Sequence, residues 1–204
     1  MNLAIALACQ DELARHGVLV KISRTVDMDS ELTPKINECN AFNPDLAVEI
    51  HNNAGGGDGC EVFHSIYGGT GKVLAENILS EAVKIGQNSR GAKTRQNSSG
   101  GDYYGWIRNT KAPAVIVECA FVDNKNDIQI IDTAAEQAVF GVAIAKGVLK
   151  TLCVAYKEPE APVKTETTGK IYRVQVGAYA VKANAEAMQK KLKAAGYEAI
   201  IVEK

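Results

Sequence analysis

Residues 44–54 read Pro44-Asp45-Leu46-Ala47-Val48-Glu49-Ile50-His51-Asn52-Asn53-Ala54. A turn signal precedes a short apolar run, and the run dissolves into polar residues and the flexible loop Gly55-Gly56-Gly57-Asp58-Gly59. That is how a buried strand reads. A second run, Pro113-Ala114-Val115-Ile116-Val117-Glu118, is apolar without alternation, which suits a parallel strand covered on both faces. Residues 60–66 read as another strand, and Val18, Val20 and Ile22 alternate with Leu19, Lys21 and Ser23 as a further one. Helical spacing occupies 3–17, 71–86 and 128–152, and 30–41 is polar but helix-compatible. Residues 88–109, polar and glycine-rich, read as a surface loop. Strands alternating with helices predict an α/β domain, a mostly parallel sheet flanked by helices.

The chain has 204 residues, and at ~150 residues per domain that is one domain with a small appendage. The composition predicts a domain over 1–153, a proline-rich charged linker over 154–169 and a tail over 170–204. In the tail, alternation over 171–179, a helix over 183–195 closed by Gly196 and a strand over 197–202 make a small, partial α+β βαβ unit. It is shorter than the ~40 residues at which a lone domain usually holds together.

With 23 basic and 24 acidic side chains, the chain lacks the basic excess of a nucleic-acid binder. No stretch approaches the ~18 apolar residues of a membrane span. The first nine residues have the apolar character of a signal peptide but no basic flank, and they run straight into Gln10-Asp11-Glu12. They read instead as an amphipathic helix that starts without a cap, so the expectation is a truncated chain with no signal peptide. Five scattered cysteines without a C-x-x-C pair support neither a disulfide framework nor a thiolate zinc site. The oligomeric state is left open.

Gly68-Gly69-Thr70-Gly71-Lys72-Val73 imitates a phosphate loop, but Ile66 stands where the first glycine is required and Val73 where a hydroxyl is required. His51 is better placed, because ligands gather at the carboxyl ends of strands in open α/β sheets. It is either a zinc ligand or a core histidine satisfied by a carbonyl. Glu118 ends a covered strand, where partial burial suits a carboxylate to proton transfer; the alternative is an ion pair with a residue such as Arg108. Glu49 shares the face of His51 and either orients the imidazole or forms a structural ion pair. His64 and Cys60 share a strand face and read as core. Tyr103, Tyr104 and Trp106 either line a groove or pin their loop.

Taken together, these segments resemble the zinc-dependent N-acetylmuramoyl-L-alanine amidases of the amidase-3 family. The matching stretches are Ile22-Ser23-Arg24-Thr25 with Asp27, residues 44–54, Gly59-Cys60-Glu61-Val62-Phe63, Asn88-Ser89-Arg90-Gly91 and residues 111–124 with Asp127. The resemblance implies a zinc held by a histidine, a glutamate and a second histidine, with a further glutamate as acid/base. His51 matches the second histidine and Glu118 the catalytic glutamate. The other two ligands are expected before Met1, so two of the three protein ligands of Zn2+ are absent and this chain is expected to be inactive or nearly so. In an intact relative, zinc would activate a water that cleaves the amide between N-acetylmuramic acid and L-alanine. The tail, through Val174-Gln175-Val176-Gly177-Ala178-Tyr179, resembles the first half of a SPOR domain, which binds glycan strands stripped of peptide. The implied partners are the glycan and stem peptide of peptidoglycan, and the implied site of action is the cell envelope. The competing reading is a non-catalytic wall-binding or regulatory protein with a degenerate metal site.

Overall fold

The apolar run ending in Glu118 becomes the inner strand around which the protein is built. The computed structural model describes residues 1–28, 31–159, 175–194 and 196–202. It falls into two units, Met1–Glu158 and Pro159–Lys204. In chain order the elements are α1 (Asn2–Arg15), α2 (Leu32–Phe42), β1 (Ala47–Asn53), β2 (Cys60–Phe63), α3 (Gly69–Lys84), β3 (Ser89–Lys93), α4 (Gly105–Asn109), β4 (Ala114–Phe121), a 3-10 turn (Ile128–Ile130), α5 (Ala134–Thr151) and α6 (Lys182–Ala194).

The first unit holds a mixed sheet in the order β1-β4-β2-β3. β1 pairs with β4 and β2 with β3 in parallel, while β2 and β4 are antiparallel. The chemistry of the connections explains the mixture. A parallel pair needs a crossover, which α3 supplies between β2 and β3. Only the glycine loop separates β1 from β2, so the chain reverses and β4 inserts between them.

One face of the sheet is sealed. Val115, Val117 and Cys119 of β4, with Val62 of β2, pack on Ile5, Leu74, Ile78, Phe140 and Ile144 from α1, α3 and α5. Helix α5 lies so close to α3 that a Cβ at Gly147 would fall 2.6 Å from Ile78 Cα, closer than such atoms pack. Its start is fixed by a capping box in which Thr133 and Glu136 satisfy each other's backbone N–H groups. The other face is covered at one end only, by a small cluster of Ile36, Trp106 and Ile107 from α2 and α4 over Ala47, Ala114 and Ile116.

Several sequence expectations need correction. The strand expected over 18–22 is absent: residues 18–24 keep an alternation of part-buried and exposed positions, yet no strand pairs with them. The surface loop expected over 88–109 contains β3 and α4; an edge strand needs little apolar content when one side is open to water. The helix expected from 128 begins at Ala134, where the capping box interrupts an earlier 3-10 turn. Residues 154–158, grouped with the linker by composition, pack on the first unit, with Val154 and Tyr156 against its core. Tyr156 stacks on His16 at 4.9 Å, and His16 accepts a hydrogen bond from the Lys157 N–H.

The second unit is described over part of its length. Its helix α6 matches the expected one, but the flanking strands of the βαβ unit are absent over 175–179 and 197–202. Val176, Tyr197 and Ile200 are exposed there, and among the described residues no strand pairs with them. Residues 160–174, the rest of the expected linker and the start of the first tail strand, lie outside the described residues.

Candidate active site

The half-covered face carries the polar groups. Successive strand residues alternate between faces, so Ala47, Glu49 and His51 of β1 share this face with Ala114, Ile116 and Glu118 of β4 and with Glu61 and Phe63 of β2. The registers join them into a row. His51 is the partner of Glu118 across the parallel pair, and Glu118 is the partner of Glu61 across the antiparallel one. Beyond His51 the register slips, since Asn53 pairs with Phe121; such bulges re-aim side chains beside functional sites. Glu118 therefore lies three residues inside β4 rather than at its end.

Each member of the row has distinct surroundings. His51 Nε2 lies 3.5 Å from Glu49 Oε1, and Lys35 of α2 donates to the same Glu49 oxygen at 2.9 Å. The hydrogen bond that His51 donates to Glu49 raises the His51 pKa against the effect of burial, and the charges of Glu49 and Glu118 add to the rise. Burial works to raise Glu49, but its bonds with His51 and Lys35 carry it below the usual glutamate value. Glu61 is held by Arg90 Nε at 2.8 Å, Lys93 Nζ at 2.5 Å and Asn53 Nδ2 at 3.1 Å. Its burial is likewise outweighed by the two cations, and its pKa is lowered. Glu118 alone moves upward: burial dominates, His51 opposes, and the charges of Glu61 and Glu49 add to the rise. A carboxyl with a raised pKa between two fixed, charged groups is equipped to take and return a proton.

The loop following β1 is clamped. Asp127, fully buried, accepts from the Gly59 and Phe121 N–H groups at 2.8 and 2.7 Å. Asp123 accepts from the Gly55 and Gly56 N–H groups, both at 2.8 Å, and these bonds lower its pKa.

The structure thus brings His51 and Glu118 together. Glu49 performs both roles considered for it, touching the imidazole and pairing with Lys35. Arg108 does not reach Glu118; it donates to the Asp102 and Tyr103 carbonyls. Trp106 is buried under α4, Tyr104 packs on Phe63 at 4.8 Å, and Arg95 stacks 3.7 Å over Tyr103, so these aromatics pin their loop. His64 is buried with Nδ1 2.8 Å from the Ser65 carbonyl. Glu61 is the member of the row that sequence reasoning missed. Its signal was parity, because Cys60 and Val62 point to the core and Glu61 must point away.

These donors do not assemble a zinc site. A catalytic zinc takes three protein ligands and an open position. Here one imidazole faces a carboxylate already paired with Lys35. Cys60 and Cys119 are buried on the opposite face, where burial holds both thiols protonated. Among the described residues, no group of three or more histidine, cysteine, aspartate or glutamate side chains is disposed to hold a metal ion.

Comparison with known proteins gives a consistent picture. The family model for N-acetylmuramoyl-L-alanine amidase, Amidase_3, matches residues 1–150, and that for the SPOR domain matches 146–203. The N-acetylmuramoyl-L-alanine amidase CwlM of Bacillus licheniformis is 31% identical over 99% of this chain and 75% of its own length. A sporulation-specific N-acetylmuramoyl-L-alanine amidase of Bacillus subtilis is 30% identical over 99% and 74%. Among solved structures, Cwp6 from Clostridium difficile superposes with a TM-score of 0.72 at 35% identity, over 74% of this chain and 24% of that one.

Proposed function

Because the chain belongs to the amidase-3 family of N-acetylmuramoyl-L-alanine amidases, whose members are generally zinc-dependent, we propose that its polar sheet face is a peptidoglycan amidase site with Glu118 as the proton-transfer group and His51 as its imidazole. The bond cut joins the lactyl group of N-acetylmuramic acid to L-alanine. Water adds to the carbonyl carbon as Glu118 takes its proton, and Glu118 returns that proton to the departing alanine nitrogen as the C–N bond breaks. Glu49, itself fixed by Lys35, holds the imidazole. Arg90 and Lys93 keep the charge of Glu61 fixed beside Glu118. The observation carrying this reading is the pairing of His51 with Glu118 across β1 and β4.

His51 is the family's zinc-binding histidine in this reading. Among the described residues no further donors converge on it, so the expected hydrolysis by these 204 residues is slow or nil. Its SPOR match supports glycan binding by the tail, and the two matches together support action at the cell wall.

Two measurements test this. Adding a soluble muropeptide to labelled protein is expected to move backbone NMR signals around residues 49–51, 61 and 118; no movement there overturns the substrate reading. Purified chain incubated with sacculi is expected to release no new alanine amino groups and to carry zinc well below one per chain. Stoichiometric zinc accompanied by hydrolysis overturns the proposed inactivity.

A further inference from the structure

Glu61 is held by more positive charge than one carboxylate needs. Arg90 and Lys93 both donate to its Oε2, while Asn53 donates to its Oε1. The two cations stand three residues apart on β3, and in a regular strand such residues face opposite sides of the sheet. Here both reach the same carboxylate because the register of β2 and β3 slips. Cys60 pairs with Ser89 and Glu61 with Gly91, which leaves Arg90 as an extra residue. Such a bulge re-aims a side chain. Gly91 makes it with a φ of +89°, and a Cβ there would meet nothing within 4 Å. The backbone conformation, not space, calls for glycine at that position.

The result is a cation fixed in place with donors unused. The Arg90 guanidinium is held through Nε at 2.8 Å from Glu61 and lies over the Phe121 ring, 5.0 Å from its centroid. Among the described residues, neither of its Nη groups has a hydrogen-bond partner. The side chains of Arg90 and Lys93 are 36% and 34% exposed, against 8% for Glu61. An arginine anchored in this way offers its Nη edge as a two-pronged donor matched to a carboxylate. Glu61 balances only one of the two positive charges, so the pair keeps an excess of positive charge at the end of the row.

We propose that Arg90, assisted by Lys93, binds a free carboxylate of the substrate on the peptide side of the scissile amide; this rests on the amidase reading of the row. In that substrate the lactyl carboxyl of muramic acid is consumed by the amide, and the N-acetylated sugars carry no other acid. The free carboxylates therefore belong to the peptide. The position agrees with this assignment. β3 lies two strands from β4, which is about 10 Å at the usual spacing. Two extended residues at ~3.3 Å each, with a glutamate side chain beyond them, reach that far. A carboxylate docked at Arg90 thus lays the start of the peptide over Glu61 and leaves the scissile amide beside Glu118. Glu61 is then a positioning residue, which orients the guanidinium without touching the substrate.

The test compares two ligands that differ in charge alone: N-acetylmuramoyl-L-alanyl-glutamate, and the same molecule with carboxamides in place of its carboxylates. Each is titrated into the labelled full chain and followed by backbone NMR. The carboxylate ligand is expected to bind at least about tenfold more tightly, as hydrogen bonds to a charged group imply. It should also move signals at 89–93 that the carboxamide leaves in place. Arg90→Gln should bring the two ligands to equal affinity. Arg90→Lys, which keeps the charge without the fork, should retain part of the preference. Each variant's own spectrum reports its fold, and the wild-type comparison stands without either. Equal binding of the two ligands to wild type overturns the proposal and leaves the amidase reading intact. A preference that survives Arg90→Gln, or is undiminished in Arg90→Lys, also overturns it, because the carboxylate is then held elsewhere. Binding of neither ligand overturns both.

Discussion

The two faces of the sheet are made from the same strands and serve opposite purposes. On the face under α1, α3 and α5, the inner-strand residues Val115, Val117, Cys119, Cys60 and Val62 are apolar and buried, and the residues interlock, down to a glycine that lets one helix touch another. On the face under α2 and α4, an apolar patch at one end gives way to His51, Glu118 and Glu61 at the other. The difference shows how a small domain keeps a costly group. Glu118 is desolvated and has like charges nearby, so its ionised form is disfavoured. The stability that permits this comes from the sealed face, and the fixed partners of Glu49 and Glu61 confine the strain to one carboxyl.

The largest effect that could break this division is the loss of the sealed face. Phe140 is fully buried at its centre. Phe140→Ala is expected to cost about 3–5 kcal/mol through lost transfer energy and a residual cavity, read by urea unfolding. A cost near 1 kcal/mol would mean that this face does not dominate. Ile36, in the small cluster on the other face, should cost less when cut to alanine. The low end of the usual range, about 2 kcal/mol, is expected because the cluster has room to relax. Equal losses for the two variants would erase the contrast.

The two faces were unequally legible in the sequence. Val115, Ile116 and Val117 announced a covered strand, and the helical spacing of Leu74, Ile78 and Ala82 announced its cover, because burial writes itself into hydrophobic pattern. His51 and Glu118 stood out as polar residues closing apolar runs. Their adjacency did not, since it depends on β4 lying between β1 and β2, and strand order is set by contacts distant in sequence. Glu61 carries a parity signal, but its place beside Glu118 depends on β2 running antiparallel to β4, which parity does not show. The alternation of Val18, Val20 and Ile22 predicts a strand, yet none forms there, because pattern reports which side faces the core and says nothing about a neighbouring strand.

Smaller effects sharpen the electrostatic half of the comparison through their pH dependence. Glu61→Ala strands Arg90 and Lys93 and should cost about 1–2 kcal/mol at neutral pH. Since the folded pKa of Glu61 lies below the usual value, its contribution is present above the ordinary glutamate range and is lost as pH falls through the folded pKa. The gap between wild type and variant therefore closes on acidification. Glu118→Gln should do the reverse. A carboxyl whose folded pKa is raised contributes stability that is complete below the ordinary value and lost as pH rises through the folded one. The variant is thus expected to melt at a higher temperature than wild type at pH 7, by an amount equivalent to about 1 kcal/mol or less, with the advantage gone near pH 3. Thermal melts across that range check both signs, and parallel pH profiles for the two variants would show that the row does not divide as described.

The smallest expected effect lies in residues 18–24. Leu19 is 82% exposed and sits on the outward side of the unpaired segment, whereas Val20 packs against the core. In a segment with no ladder to hold it, side-chain burial is the main local anchor, beside the exposed Lys21–Glu38 and Arg24–Asp27 ion pairs. Leu19→Ser should then change stability by less than about 0.5 kcal/mol, while Val20→Ser, one position along, should cost clearly more in the same urea titration. If the two variants are indistinguishable, the segment is not held by its inward side chains.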